Sequence, residues 1–350
     1  MPDPAGDRRR PPLAELTLVR LKELSREPEA VFWIFIFPIV LAAILGLAFR
    51  SRPPEALPVA VVSGPHGGAR MAALSSQPEI KPRPLDAAAA RQALARGQVV
   101  LVVSADDPPV YAYDPTQPDS RAARLALDAA LQRAAGRPDA FTPGRAEQTE
   151  PGTRYVDFLV PGLLGMNLMG TGMWGIAFSI VTARSRGLLK RLVATPMRKS
   201  HYLIGQMMGR MVFLIPEVVV LVVFAHFVFE VPVNGSILAL TAVTALGALA
   251  FTGIGLLVAA RPRTIEGVSG LMNFVMLPMW IFSGVFFSPS RFPDAMMPMI
   301  RLLPLTALND ALRAVMIDGA ALSAVGRELA VVSAWGAAAF LAALRMFRWR

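Results

Sequence analysis

Six long apolar runs constrain the fold of this chain more than any other feature of its sequence. They cover residues 31–49, 158–181, 211–229, 237–259, 268–287 and 324–344. Each approaches the roughly 20 residues that an α-helix needs to cross the hydrocarbon core of a bilayer. A single strand would leave its backbone hydrogen-bonding groups unpaired in lipid, so the runs are predicted to be helices.

The overall composition supports this conclusion. Hydrophobic residues make up 54% of the 350 positions and charged residues 17%, whereas soluble domains carry roughly 25% charged residues. The sequence therefore predicts an α-helical integral membrane protein with six transmembrane helices and a small α/β extracytoplasmic domain. The chain contains no cysteine, which excludes disulfides and thiolate metal sites.

Basic residues mark one side of the predicted bundle. They cluster in short segments at 20–26, 183–210, 260–266 and 345–350, whereas the opposite turn at 230–236 has no lysine or arginine. Because short cytoplasmic loops are enriched in Lys and Arg, both termini are expected in the cytoplasm. The same rule explains the net charge of +10, so no nucleic-acid partner is expected.

The predicted order of segments follows from these runs. Residues 1–30 form a cytoplasmic tail, in which 12–27 has the amphipathic pattern of a helix lying on the inner leaflet. Residues 31–49 form the first transmembrane helix, and residues 155–350 form a region of five such helices. Within that region, the proline-interrupted apolar segment 288–323 is predicted to be re-entrant on the outer side.

Residues 50–154 form the predicted extracytoplasmic domain. Their mixed charge does not conflict with that side, since long loops escape the positive-inside rule. Strands are predicted at 57–64, 98–104 and 110–113, and helices at 67–76, 86–96 and 119–135. Asp86 is the expected N-cap of the second of these helices. The alternation indicates a small α/β unit.

The loop 183–210 carries seven basic residues and no acidic one between two apolar runs. Within it, Leu188, Leu189, Leu192 and Val193 form an apolar stripe at helical spacing, and Pro196 follows as a terminator. The pattern predicts a short amphipathic helix that docks on an apolar surface. The bilayer is one candidate for that surface, and a partner protein is another.

The catalytic and nucleotide-binding motifs of soluble enzymes are missing from the sequence. It contains no G-x-x-x-x-G-K-[ST] phosphate loop and no H-E-x-x-H metal motif, so no catalytic residue, metal or cofactor is expected in this chain. Glu217 follows Pro216 inside an apolar run and is either a pathway residue or a group paired within the bundle. Further candidates to line a pathway are Asn167, Thr171, Asn273 and Trp280.

Three stretches together resemble the permease subunit of type-2 ATP-binding-cassette (ABC) exporters. They are GLLKRLVATPMRKSHYLIGQMM at 187–208, SGVFFSPSRFPDAMMPMIRLLPLTALNDALR at 283–313 and YVDFLVPGLLGMNLM at 155–169. The similar subfamily has a large domain between its first two spans, as expected here. One departure is Ser185, which precedes Arg186-Gly187 where the family often has an acidic residue.

The resemblance implies a permease that moves a lipophilic small molecule, a drug or an envelope component out of the cytoplasm or inner leaflet. It implies ATP and Mg on a separate cytoplasmic ATPase subunit, a second permease copy in a homodimer or heterodimer, contact with membrane lipid, and a bacterial inner-membrane location. The implied ATPase-coupling residues are Gly187, Leu188, Lys190, Arg191, Leu192, Thr195 and Pro196. The alternative is an ABC-linked scaffold or mechanotransmission protein without a transported substrate.

Overall fold

The computed structural model of the protein describes residues 28–48, 56–137, 141, 154–193 and 199–348, with the backbone alone at 29–30 and 192–193. Two compact units are present. One comprises Met1–Arg50 with Thr149–Arg350, and the other comprises Ser51–Gln148. The amphipathic helix predicted at 12–27 and the coupling residues Thr195 and Pro196 lie outside the described residues.

The described part of the first unit contains helices and no strand. It begins with α1 (Pro28–Val31), the π-helical segment π1 (Phe32–Ile36) and α2 (Phe37–Ala48). The long helices are α6 (Tyr155–Ser185), α8 (Lys199–Phe229), α9 (Ile237–Val258), α10 (Ile265–Phe282) and α13 (Gly326–Met346). By length and composition, these five are able to cross a membrane, which confirms an α-helical integral membrane protein. The apolar helix Phe32–Ala48 is shorter, so the sixth span stays a prediction.

Glycine lets three of these helices pack closely. A Cβ at Gly255 of α9 would lie 2.9 Å from the Cα of Met173 on α6. On the other side, a Cβ at Gly336 of α13 would lie 2.9 Å from the Cα of Ala250 on α9. Helix α9 is therefore held between α6 and α13 at distances that only small residues permit.

The segment predicted to be re-entrant contains two short α-helices, α11 (Met297–Leu302) and α12 (Pro304–Met316). Helix α12 is largely buried, and Asn309 Nδ2 donates to the carbonyl oxygen of Ser283 at 2.9 Å. Its Arg313 guanidinium lies 3.8 Å from the ring centroid of Phe158 and donates to the carbonyl oxygens of Phe158 and Gly284. These contacts join α12 to α6 and to the end of α10, while placement on the outer side stays a prediction.

The second unit is an α/β fold. Its strands are β1 (Leu57–Val62), β2 (Ile80–Leu85), β3 (Leu101–Val103) and β4 (Tyr111–Tyr113), and its helices are α3 (Gly67–Ser75), α4 (Ala87–Ala95) and α5 (Pro118–Ala134). The sheet order is β2-β1-β3-β4, with β1 parallel to both neighbours and β4 antiparallel to β3. Asp86 caps α4 as expected, accepting from the Ala89 amide at 2.7 Å.

Strand β2 was not predicted from the sequence. Its six residues, IKPRPL, include Pro82 and Pro84, and proline lacks the amide hydrogen that a central strand needs. The strand is possible because β2 lies at the edge of the sheet, where β1 is its partner. The strand predicted at 98–104 is also shorter than expected, because only Leu101–Val103 pair.

Candidate functional site

A cavity of about 630 Å³ lies in the first unit. Its wall is formed by π1, α2, α6, α8 and α10. Six aromatic side chains lie on that wall, and they are Trp33, Phe37, Trp174, Phe178, Phe213 and Trp280. The polar side chains on it are Asn167, Thr171, Ser179 and Arg210. A largely apolar cavity with a few polar groups has the size and lining of a small-molecule site.

A buried polar cluster adjoins this cavity. Glu217 is 1% exposed, and its Oε2 lies 2.7 Å from Nη2 of Arg210. Asn167 Nδ2 donates to Glu217 Oε1 at 2.9 Å, and the Thr171 hydroxyl lies 3.0 Å from the same oxygen. Arg210 Nη2 also donates to Thr171 Oγ1 at 2.6 Å. The carboxylate is therefore paired and hydrogen-bonded, as a charge inside an apolar bundle requires.

The structure brings four of the five pathway candidates together. Asn167, Thr171 and Glu217 form the polar cluster, and Trp280 lines the adjoining cavity. Asn273 is exposed on α10 and does not line the cavity. Arg210, predicted from the sequence to belong to the basic loop, is part of the cluster instead. Its spacing of two helical turns from Glu217 was a usable signal, because positions i and i+7 share a helix face.

The π-helical segment shapes one wall of the cavity. Trp33 and Ile34 of π1 line it, followed by Phe37 at the start of α2. Asn167 Nδ2 donates to the Ile34 carbonyl oxygen at 3.2 Å, so the polar cluster is hydrogen-bonded to the segment with irregular backbone. Single π-turns inside helices occur frequently at functional sites.

The predicted amphipathic helix is present as α7 (Leu188–Val193), directly after Gly187. Gly187 has φ 71°, a left-handed conformation that ends α6 and that glycine adopts without strain. The apolar stripe is divided between two environments: Leu189 is 1% exposed within the core of the unit, whereas Leu188 is 44% exposed. Lys190 and Arg191 are also exposed. The side chain of Leu192 lies outside the described part of the chain.

Arg184 connects several helix ends beside α7. It is 7% exposed, and its guanidinium donates to the carbonyl oxygens of Ala259 at 3.0 Å, Ala260 at 3.2 Å and Arg348 at 3.0 Å, and to that of Pro262. The end of α6 is thereby joined to the turn between α9 and α10 and to the residues after α13. Lys199, at the start of α8, donates to the Phe347 carbonyl oxygen at 3.0 Å, so four helix ends meet here.

Comparison with known proteins shows which family this chain resembles. Residues 29–345 match the family described as "ABC-2 family transporter protein". The chain is 29% identical over 174 residues to ABC transporter G family member 20 of Dictyostelium discoideum. It is 24% identical over 196 residues to the probable multidrug ABC transporter permease YbhS, and 28% identical over 165 residues to the inner membrane transport permease YadH, both of Escherichia coli K12.

These similarities cover part of each protein. The aligned regions span 49%, 54% and 46% of this chain for the Dictyostelium protein, YbhS and YadH respectively. They span 24%, 52% and 63% of those relatives. The relatives thus support a multi-pass transporter subunit over roughly half of the chain, while the family match extends over nearly all of it.

Proposed function

The chain belongs to the ABC-2 family of transporter proteins, and we propose that it is the permease subunit of an ATP-driven exporter. One observation carries this proposal. Helices α6 and α8, which flank the α7 segment, also form walls of the aromatic cavity. A force applied at α7 therefore acts on the helices that surround a bound molecule.

Energy comes from a partner in this proposal. Family membership implies an ATP-binding cassette subunit, and ATP and Mg are bound there. The exposed side chains Leu188, Lys190 and Arg191 dock on it, and Gly187, Leu192, Thr195 and Pro196 complete the docking segment. Closure of the ATPase moves α7, and Arg184 transmits this displacement to the turn between α9 and α10.

The cavity holds the transported molecule, which we propose to be a lipophilic small molecule, drug or envelope component. It enters from the cytoplasm or inner leaflet of a bacterial inner membrane and leaves outward, with a second permease copy completing the pathway. YbhS is named as a probable multidrug ABC transporter permease, which supports a substrate of this class. Both termini are cytoplasmic in this proposal, and the α/β unit is extracytoplasmic.

Transport measurements in membrane vesicles test the proposal. The chain is co-expressed with an ABC ATPase that co-purifies with it, and inside-out vesicles are assayed with neutral, anionic and cationic lipophilic dyes. ATP-dependent accumulation of a dye is expected, and it should stop when the catalytic glutamate of the ATPase is replaced by glutamine. If the ATPase co-purifies but neither a dye nor a fluorescent phospholipid is transported, the export proposal is wrong.

The same experiment addresses the alternative of an ABC-linked scaffold. The observation that favours a scaffold is the α/β unit, which has separate buried clusters on the two faces of its sheet and is therefore a folded unit capable of binding a partner. Under that alternative, deletion of residues 57–137 abolishes the scaffold function of the protein. Substitution of the cavity-lining side chains then has no effect on that function. Under the export proposal, variants of the cavity change which dye is moved.

A further inference from the structure

We propose that the aromatic cavity selects lipophilic molecules that carry hydrogen-bond acceptor oxygens, with carboxylates preferred over cations. This inference rests on the proposed transport function and names the substrate class of the same site. It is carried by the unpaired polar atoms of the cavity wall and by the charge on that wall.

Two buried N–H groups of the wall have no hydrogen-bond partner among the described residues. They are Nε of Arg210 and Nε1 of Trp280, and both side chains line the cavity. Arg210 makes its contacts with Thr171 and Glu217 through Nη2, which leaves Nε free of that cluster. A buried donor without an acceptor is costly, so a molecule that supplies acceptors is stabilised in this cavity.

The unpaired groups are donors in both cases. The cavity-lining residues in the described part of the chain contribute no buried acceptor oxygen that lacks a partner. Both N–H groups are buried, so binding requires a small movement of the Trp280 ring that turns its N–H toward the molecule, while the pair with Glu217 keeps the Arg210 guanidinium in place. A ligand with one or two carbonyl or carboxylate oxygens complements this wall, and a ligand that offers only donors does not.

The charge of the cavity wall favours the same class of molecule. Arg210 is the ionisable residue among the described cavity-lining side chains, while its partner Glu217 does not line the cavity. The ion pair is neutral as a whole, but its guanidinium lines the cavity and its carboxylate does not, so the pair presents its positive end to a bound molecule and favours an anion over a cation. Aromatic faces attract cations, so a cationic probe must be part of any test.

Aromatic rings set the shape of the body that fits between these donors. Trp174 and Phe178 are stacked, with centroids 4.8 Å apart and planes 27° apart. Trp33 and Phe37 form a second pair at 4.9 Å. A flat aromatic body packs against such faces, and a cavity of about 630 Å³ has room for a molecule of drug size.

Three probes that share one ring system isolate the polar group. Anthracene, 9-anthracenecarboxylate and 9-(aminomethyl)anthracene are titrated into the full-length permease in lipid nanodiscs, with empty nanodiscs as the blank. Binding is measured by energy transfer from tryptophan to the probe. We expect the carboxylate to bind about tenfold more tightly than anthracene, because one charge-assisted hydrogen bond is worth that factor or more. The ammonium probe should bind most weakly.

Variants then identify the donors. Trp280→Phe keeps the ring and removes the N–H, so it should reduce the preference for the carboxylate about threefold to tenfold and leave anthracene binding unchanged. Arg210→Lys keeps the positive charge but lacks Nε, and it should have a similar effect. Trp335→Phe is the matched control, because Trp335 lies on α13 outside the cavity and donates its Nε1–H to the Leu302 carbonyl oxygen at 2.9 Å.

The outcomes separate this inference from the transport proposal. Equal binding of anthracene and the carboxylate by the unaltered protein overturns the donor-based selection, as does tightest binding of the ammonium probe. An equal loss of all three probes in Trp280→Phe means that only ring packing holds the ligand, which also overturns it. None of these results depends on ATP, so a permease that prefers the carboxylate but moves no dye refutes export alone.

Discussion

Arg210 and Glu217 show how an apolar helix accommodates charge. An ion buried without a partner costs several kcal/mol, and here the two side chains meet at 2.7 Å. Asn167 and Thr171 supply the additional hydrogen-bonding contacts. The pair is therefore a structural unit of α6 and α8, and it also fixes the orientation of the guanidinium on the cavity wall.

We expect this pair to behave as a unit on mutation. Arg210→Gln or Glu217→Gln alone should lower the free energy of unfolding by about 3–5 kcal/mol, because each leaves one buried charge without its partner. The double variant should lose less than the sum of the single losses, since no charge remains buried. Thermal unfolding in detergent compares the stability of the unaltered protein, the two single variants and the double variant. Additive losses would mean that the two groups do not interact.

Two adjacent leucines of helix α7 lie in different surroundings, and we expect them to have different functions. Leu189 packs into the core of the first unit, whereas Leu188 is 44% exposed. Six residues are too few for a helix that is stable alone, so Leu189 serves to anchor α7. Leu188 remains available for the ATPase partner in the proposed complex.

The two leucines make a matched pair for mutation. Leu188→Asp should leave the permease folded and reduce both co-purification of the ATPase and ATP-dependent transport, because it puts a charge into an apolar docking face. Leu189→Asp should instead destabilise the permease itself. Size-exclusion profiles and pull-down of the ATPase distinguish the effects. Unchanged pull-down and transport with Leu188→Asp would refute the docking assignment.

Arg184 permits a second test at the level of helix ends. Arg184→Gln retains a donor but cannot reach four carbonyl oxygens on two segments, so the permease should lose about 2–3 kcal/mol of stability. ATP hydrolysis by the docked partner should continue while transport falls. Arg186→Gln, at an exposed neighbouring position, is the control. If both variants transport as well as the unaltered protein, Arg184 does not transmit the displacement.

For the whole molecule, the sequence predicted the helices better than the site. Long apolar runs determine where helices form. Strand β2 forms only because it pairs with the distant segment β1, and its two prolines argued against a strand at the sequence level. Charge counting placed Arg210 in the loop and overlooked its seven-residue spacing from Glu217, and the contact between the two side chains is seen in the fold. Asn273 lies beside Met272 but off the buried face formed by Val268, Met272 and Met276, and a sequence alone does not say which face of α10 is packed.

The number of spans is the property of the whole molecule that a labelling experiment decides. If the helix Phe32–Ala48 crosses the membrane, the N-terminus and the α/β unit lie on opposite sides. The chain has no cysteine, so Ala5→Cys, Ala122→Cys and Ser185→Cys each introduce one thiol; positions 122 and 185 are exposed. With an impermeant thiol reagent and intact cells, we expect labelling at 122 alone, and labelling at 5 and 185 only after the membrane is opened. Labelling at both 5 and 122 in intact cells would show that the first helix does not cross, and labelling at 185 would reverse the proposed orientation of the coupling segment.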